Sequence, residues 1–343
     1  MAAALSAAII PGCTNDLDFK FKDESPKIVM NMLTSTSMTS HEVRLSLSKV
    51  DAVEKLEDAR VVCTVNGTKV ADAVAVDGGV GNETYYVFDA QFKPGDKVRI
   101  DAFSKDGSAY AELVVPAKPV TGPLDTLGRT MRKSDIFSEP SEVLLCRYPV
   151  TSSKDSHHFM LSPYVSFTSV AYYDEGDGNL KPSAAETITR DMFVYPDNDV
   201  VLEDGGAVAG GSLIDELLGN GERLNLFTDK YFSGESHTLR YMMETSMLKN
   251  VIFDFPGGEG LLDHVDVTVY IGAKVEAITE IAYHYLKSAS SYMGAEMGFL
   301  FEPTSIPGNV IGGLGIVSIS SVSDTDEMKV REFSIDYQGG IYY

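Results

Sequence analysis

The chain has 343 residues, 44% of them hydrophobic and 23% charged, with 50 acidic against 28 basic side chains and a net charge of -22. That length suits two ordinary domains rather than one giant core, and the composition is that of a globular protein, not of a disordered tail or a multispanning membrane protein. The acid excess is spread along the chain and repels phosphate backbones and anionic bilayers, which argues against nucleic acid as a partner and requires any membrane attachment to come from something other than charge.

Residues 2–12, AAALSAAIIPG, are small and apolar; Cys13 follows, and the character changes at once to TNDLDFKFKDESP. This pattern resembles the end of a bacterial secretory signal, with Ile10-Pro11-Gly12-Cys13 in the place of a lipobox. Cys13 is therefore the expected lipid attachment residue. Gly12 lets the peptidase approach, the thiol carries diacylglycerol, and multiple acyl chains at about 0.8 kcal/mol per buried CH2 hold where one chain holds weakly. The run before Cys13 is short and lacks the Lys or Arg of a positive n-region, which a start codon placed too far downstream would explain. Residues 1–12 read as the remnant of a signal peptide and 13–25 as an anchor linker. Asp16 and Asp18 resemble the short acidic signal that sends some Bacteroidetes lipoproteins to the outer face of the outer membrane.

From Pro26 to Ala117 short apolar runs alternate with turns. Lys27 to Met30, Glu42 to Leu47, Ala59 to Val65, Thr84 to Phe88, Lys97 to Phe103 and Ala109 to Val115 predict strands, divided by Asn66-Gly67, Lys93-Pro94-Gly95-Asp96 and Lys105-Asp106-Gly107. Period-two alternation with a turn every ten or so residues predicts an immunoglobulin-like antiparallel β-sandwich over 26–117. Pro116 to Pro123 hold three prolines and a glycine, so neither helix nor sheet is expected to run through them, and the domain boundary falls there.

The remainder, 118–343, reads as a larger β-rich domain with one or two helices. Strands are expected at Ile188 to Tyr195, Arg223 to Phe227, His237 to Met243, Val251 to Phe255 and Val265 to Ile271. A helix is expected over 277–292, with Ile278, Ile281, Tyr285 and Ala289 on one face, and a short one over Ser212 to Leu218. The fold class is thus mainly β.

Residues that carry chemistry are scarce. Cys63 and Cys146 lie in strand-like runs of different domains, so each reads as a small buried residue and not as half of a disulfide. Nucleophile-elbow, phosphate-loop and His-Glu-x-x-His signatures are absent, so no catalytic residue, nucleotide site or cofactor is assigned. His157 and His158 resemble a metal pair, but neighbours on a strand face opposite ways. Asp174, Asp177 and Asn179 crowd one tight loop with the oxygen donors that calcium prefers, yet such residues are also what hairpin tips use. Tyr172, Tyr173 and Tyr292 are exposed-ligand candidates that core packing explains as well.

Three stretches carry a family resemblance: Pro26 to Asn31 with His41 to Ser46; Phe227-Thr228-Asp229-Lys230-Tyr231-Phe232-Ser233-Gly234 leading into Thr238-Leu239; and Tyr283 to Lys287 with Glu302-Pro303, Ile306, Asn309-Val310 and Gly312-Gly313-Leu314-Gly315-Ile316-Val317. In this order and spacing the chain resembles the Bacteroidetes lipoproteins gathered as domain of unknown function 4249. The resemblance implies an outer-membrane lipoprotein of the kind often encoded beside TonB-dependent receptors, and it brings no catalytic residues with it. The family-like residues read as architecture: Gly312, Gly313 and Gly315 for unusual backbone, Gly234 for a hairpin, Asp229 and Asn309 for side-chain turn caps.

The expected function is a surface-exposed, lipid-anchored ligand-binding or accessory protein whose partner is a TonB-dependent outer-membrane receptor and whose ligand no motif identifies. An adhesive or structural cell-surface module is the alternative. An enzyme acting on an extracellular polymer ranks last, because no motif selects a pair among the many carboxylates.

Overall fold

The computed structural model describes residues 25–49, 53–76, 83–133, 139–153, 155–176, 178–192, 194–205, 224–248, 261–293 and 307–336. The fold is mainly β, as the alternation of apolar residues requires. In the strand Lys27–Ser35 every second side chain turns inward, so Ile28, Met30 and Met32 are buried. Its antiparallel neighbour Ser40–Ser48 buries His41, Val43, Leu45 and Leu47, and Thr84–Asp89 continues the sheet. A second sheet is made of Thr68–Asp72, Arg60–Val65, Lys97–Ser104 and Gly107–Val114. Ile28, Met30, Leu45 and Tyr86 of the first sheet meet Val61, Ile100 and Ala111 of the other in one core. The hydroxyl of buried Tyr86 donates to Leu56 O at 2.9 Å and accepts from Ala59 N at 3.1 Å, which meets the hydrogen-bonding demand of a phenol away from water. Asn66 and Gly67 both have positive φ, 51° and 80°, the requirement of a two-residue hairpin turn. Three short exposed strands, Val53–Lys55, Thr68–Asp72 and Val74–Val76, bury no repeating face and left no apolar alternation to read.

Beyond residue 118 two more groups of strands face each other. Ser141–Thr151 pairs with Asp125–Arg132 and Ser236–Glu244; the 17-residue strands His158–Asp174 and Leu261–Ala277 pair along their whole length. Tyr148, Tyr241 and Met243 from one side pack with Phe167, Val269 and Ile271 from the other, and Tyr148 Oη donates to Ala273 O across the core at 3.2 Å.

Several expectations need correction here. The proline-rich segment does enter a sheet: Val120–Thr121 pairs with Val150 and Thr151, because only the prolines lack an N–H and these two residues keep theirs. The run Ile188 to Tyr195 is not one strand. Glu186–Asp191 joins His158–Asp174, whereas Val194–Pro196 joins Ser236–Glu244 in the other sheet. The expected strand Val251 to Phe255 and the expected helix Ser212 to Leu218 lie outside the described residues. The helix near the end spans Glu280–Met293, begun by Thr279, whose Oγ1 accepts from Ala282 N at 3.3 Å. Its buried face is Ala282 and Tyr283 with Leu286, beside Ile278, and not Ile281 and Tyr285. The preceding strand runs on to Ala277, so the helix starts later and its apolar face is turned.

The strand Val317–Val322 lies parallel to Lys27–Ser35, with Met32 opposite Val317, and meets the end of Leu261–Ala277 on its other side. Val317 and Ile319 thereby enter the core of the first sandwich, and one hydrogen-bonded sheet runs through both halves of the chain. This strand is buried on both faces, and its serines are paired: Ser318 with Thr279, Ser320 with Glu276 and Ser321 with Pro116 O; Ser323, just beyond it, accepts from Val275 N. The approach to it needs glycine. Gly315 has φ +109°, and a Cβ there would overlap the carbonyl oxygen of Met30; one on Gly313 would overlap that of Ile28.

Candidate functional site

Where the strand Lys27–Ser35 passes the helix Glu280–Met293, a cleft of about 680 Å³ opens between the first sheet and the helix residue Tyr285. That size suits a small molecule. The apolar part of its wall is Met32, Leu33 and Met38, of which Leu33 and Met38 are about half exposed, at 52% and 51%. Its polar rim is Glu42, Arg44 and Glu83: Arg44 Nε donates to Glu42 at 2.7 Å, Glu83 stands 4.0 Å away, and the guanidinium lies over the Tyr85 ring. The hydrogen bond to Glu42 raises the Arg44 pKa further above its ordinary value.

His41 stiffens this wall. Its Nε2 is 3.1 Å from Ala90 O, which only accepts, so that nitrogen carries the proton; Nδ1 then accepts from Thr34 Oγ1 at 2.8 Å. The ring packs against Phe88 and Phe92, and burial lowers its pKa below the ordinary 6.5, with the Ala90 carbonyl and Asp89 opposing. With both nitrogens engaged, His41 is a fixture and not a base in waiting. An apolar floor with a charged rim suits retention of an amphipathic molecule.

The sequence-selected residues are dispersed. Cys13 lies outside the described residues, as do Asp177 and Tyr292's side chain. Asp174 ends a strand, and its Oδ1 accepts from Gly176 N at 2.8 Å and Gly178 N at 3.1 Å, the arrangement of a capped hairpin tip. Asn179 follows in the same tip, before Leu180–Pro182. Cys63 and Cys146 are free thiols buried in separate cores, and burial pushes each pKa up to about 12. Tyr172 stacks on His264 at 4.4 Å, and Tyr173 is in the second core.

Three of the architectural roles differ from expectation. Gly234 has φ +80° but serves no hairpin, because the strands on either side, Asn225–Thr228 and Ser236–Glu244, pair in different sheets. Asn309 does not cap a turn; it imitates a strand, with Nδ2 donating to Val317 O and Oδ1 accepting from Val317 N, both at 2.8 Å. The carboxylate of Asp229 reaches across to Ser152 Oγ and to His157 Nδ1, the latter at 2.9 Å, and pins the crossing between sheets. Ser, His and Asp meet here, but the serine bonds to the aspartate and not to the imidazole, so no base stands ready to take its proton. Buried Asp199 is likewise structural: it accepts from His237 Nε2 at 3.1 Å, Arg240 N at 2.7 Å and Val201 N at 3.0 Å.

One constellation was missed. His158 Nδ1 or Nε2, a Glu280 oxygen and a His284 nitrogen all lie within 4.8 Å of one another. The signal was present as Glu280 and His284, four apart on a helical run and so on one face; their partner on a distant strand was not. His157 turns to Asp229, whereas His158, the first residue of its strand, turns to the helix.

A family model described as Domain of unknown function (DUF4249) matches residues 14–326. No curated protein matches the chain.

Proposed function

Because the chain belongs to the DUF4249 family, we propose that it is a lipoprotein tethered to the outer membrane through Cys13, facing the cell exterior, and that it holds an amphipathic small molecule for a TonB-dependent receptor. The observation that carries this reading is the Ile10-Pro11-Gly12-Cys13 sequence at the end of an apolar run, with the family match starting at the next residue, 14. Among the described residues no helix is long and apolar enough to cross a membrane. The cleft beside Met32, Leu33 and Met38 supports the ligand-holding part. Its charged rim orients a polar end while the thioether and leucine side chains take an apolar one.

Mass spectrometry of the protein from its native host is the test. A diacylglyceryl thioether on Cys13, and release of a Cys13→Ser variant from the membrane fraction, are expected. An unmodified thiol on a protein recovered in the soluble fraction would sink the proposal. For the receptor, affinity purification from solubilised membranes should bring a TonB-dependent transporter with the wild type.

A further inference from the structure

His158 opens the strand His158–Asp174, and Glu280 and His284 stand on the first turns of the helix Glu280–Met293. The two elements are fastened at the histidine itself, since Ile278 N–H donates to His158 O at 2.9 Å just before the helix begins. Ile278, Ala282 and Tyr283 pack with Leu226 beneath, so the helix cannot swing away from the strand without opening a small core. The Tyr283 ring lies 5.0 Å from that of His158 and 5.4 Å, edge on, from that of His284.

The geometry points to a divalent-cation site of the zinc type, held by His158, Glu280 and His284, with its fourth position open to solvent. Two imidazole nitrogens and one carboxylate oxygen form a borderline donor set that favours zinc over the hard cations, which prefer oxygen alone. The 3.9 Å between Glu280 Oε1 and His284 Nε2 is already near the separation of two ligands on a tetrahedral ion. At metal–ligand distances of about 2.0–2.1 Å, donor atoms stand roughly 3.4 Å apart. The half-buried His158 is the fixed donor, while Glu280 and His284 are exposed enough to close the remaining gap by rotation. Other histidines are committed elsewhere: His41 to Thr34 and Ala90, His157 to Asp229, His237 to Asp199. The open position accepts water, or a donor atom from a bound molecule or partner. The site does not depend on acylation, so protein without lipid serves for its test.

Full-length protein, stripped with a chelator and then dialysed, is titrated with zinc in competition with a chromophoric chelator. One equivalent should bind, and cobalt in its place should give the strong visible absorption of a four-coordinate ion. His284→Ala and Glu280→Gln alter exposed side chains and should keep the wild-type circular dichroism. Removing either donor should weaken binding by more than about a hundredfold, beyond the ten- to hundredfold typical of outer-shell partners. His264→Ala, which removes an imidazole beside Asp263 and Asp266, should leave the affinity unchanged. Absence of a stoichiometric zinc complex, equal affinity in the His284→Ala variant, or loss of binding in His264→Ala would each overturn the assignment.

Discussion

Gly315→Ala should destabilise the protein far more than a surface glycine substitution, because it separates the buried strand Val317–Val322 from Lys27–Ser35. Gly315 has φ +109°, and an alanine there adopts a backbone conformation costing about 1–2 kcal/mol or more. The added Cβ overlaps Met30 O and comes within 2.7 Å of Asn31 Oδ1, and both belong to the strand Lys27–Ser35. Relief requires the segment to withdraw, at the expense of Met30 N–H to Leu314 O and Met32 N–H to Ile316 O, both 2.8 Å, and of Ile316 N–H to Asn31 Oδ1 at 3.2 Å. At roughly 1 kcal/mol net for each of the three bonds, the total with the backbone term comes to about 4–5 kcal/mol. Gly67→Ala is the reference, since Gly67 has φ +80° with open space around it and should cost only about 1–2 kcal/mol. Urea unfolding followed by circular dichroism gives both values by linear extrapolation. Amide exchange should show lost protection in Lys27–Ser35 as well as in Val317–Val322, since Val317 and Ile319 belong to the first core. If Gly315→Ala costs no more than Gly67→Ala, the close approach is not what holds the strand.

Tyr241 is fully buried, and its hydroxyl has no hydrogen-bond partner among the described residues; Tyr241→Phe should therefore stabilise by about 1–3 kcal/mol, read as a higher urea midpoint at unchanged slope. A lower midpoint would mean that the hydroxyl is satisfied. His41 has a folded pKa below the ordinary 6.5, so as pH falls through 6.5 the unfolded chain takes up a proton that the folded chain refuses. Stability is then complete above about pH 6.5 and declines below it, down to the lowered folded pKa, with a slope of at most about 1.4 kcal/mol per pH unit from this group. His41→Gln, which keeps a donor for Ala90 O, should remove that share of the slope between pH 7.5 and 5. An unchanged slope would show that His41 takes up its proton over the same pH range in the folded and unfolded chains.

The alternating apolar residues of Lys27 to Met32, Glu42 to Leu47 and Lys97 to Phe103 determined by themselves that these segments are strands with one buried face. Period two admits no other way to bury that face. Asn66-Gly67 likewise determined its own turn, because few other residues tolerate positive φ twice in succession. The run Ile10-Pro11-Gly12-Cys13, on which the proposed acylation rests, is a linear feature and needs no fold to be read. What tertiary structure decided is which strands meet. Nothing local to Val317-Ser318-Ile319-Ser320-Ser321-Val322 says that it lies beside Lys27–Ser35, some 285 residues away, since the pairing rests on Gly313 and Gly315 fitting against carbonyls that only the folded sheet presents. The cleft and the His158, Glu280 and His284 cluster arise for the same reason. Their residues come from strand and helix segments far apart in sequence, and proximity across such distances is a property of the packed core and not of any window of sequence.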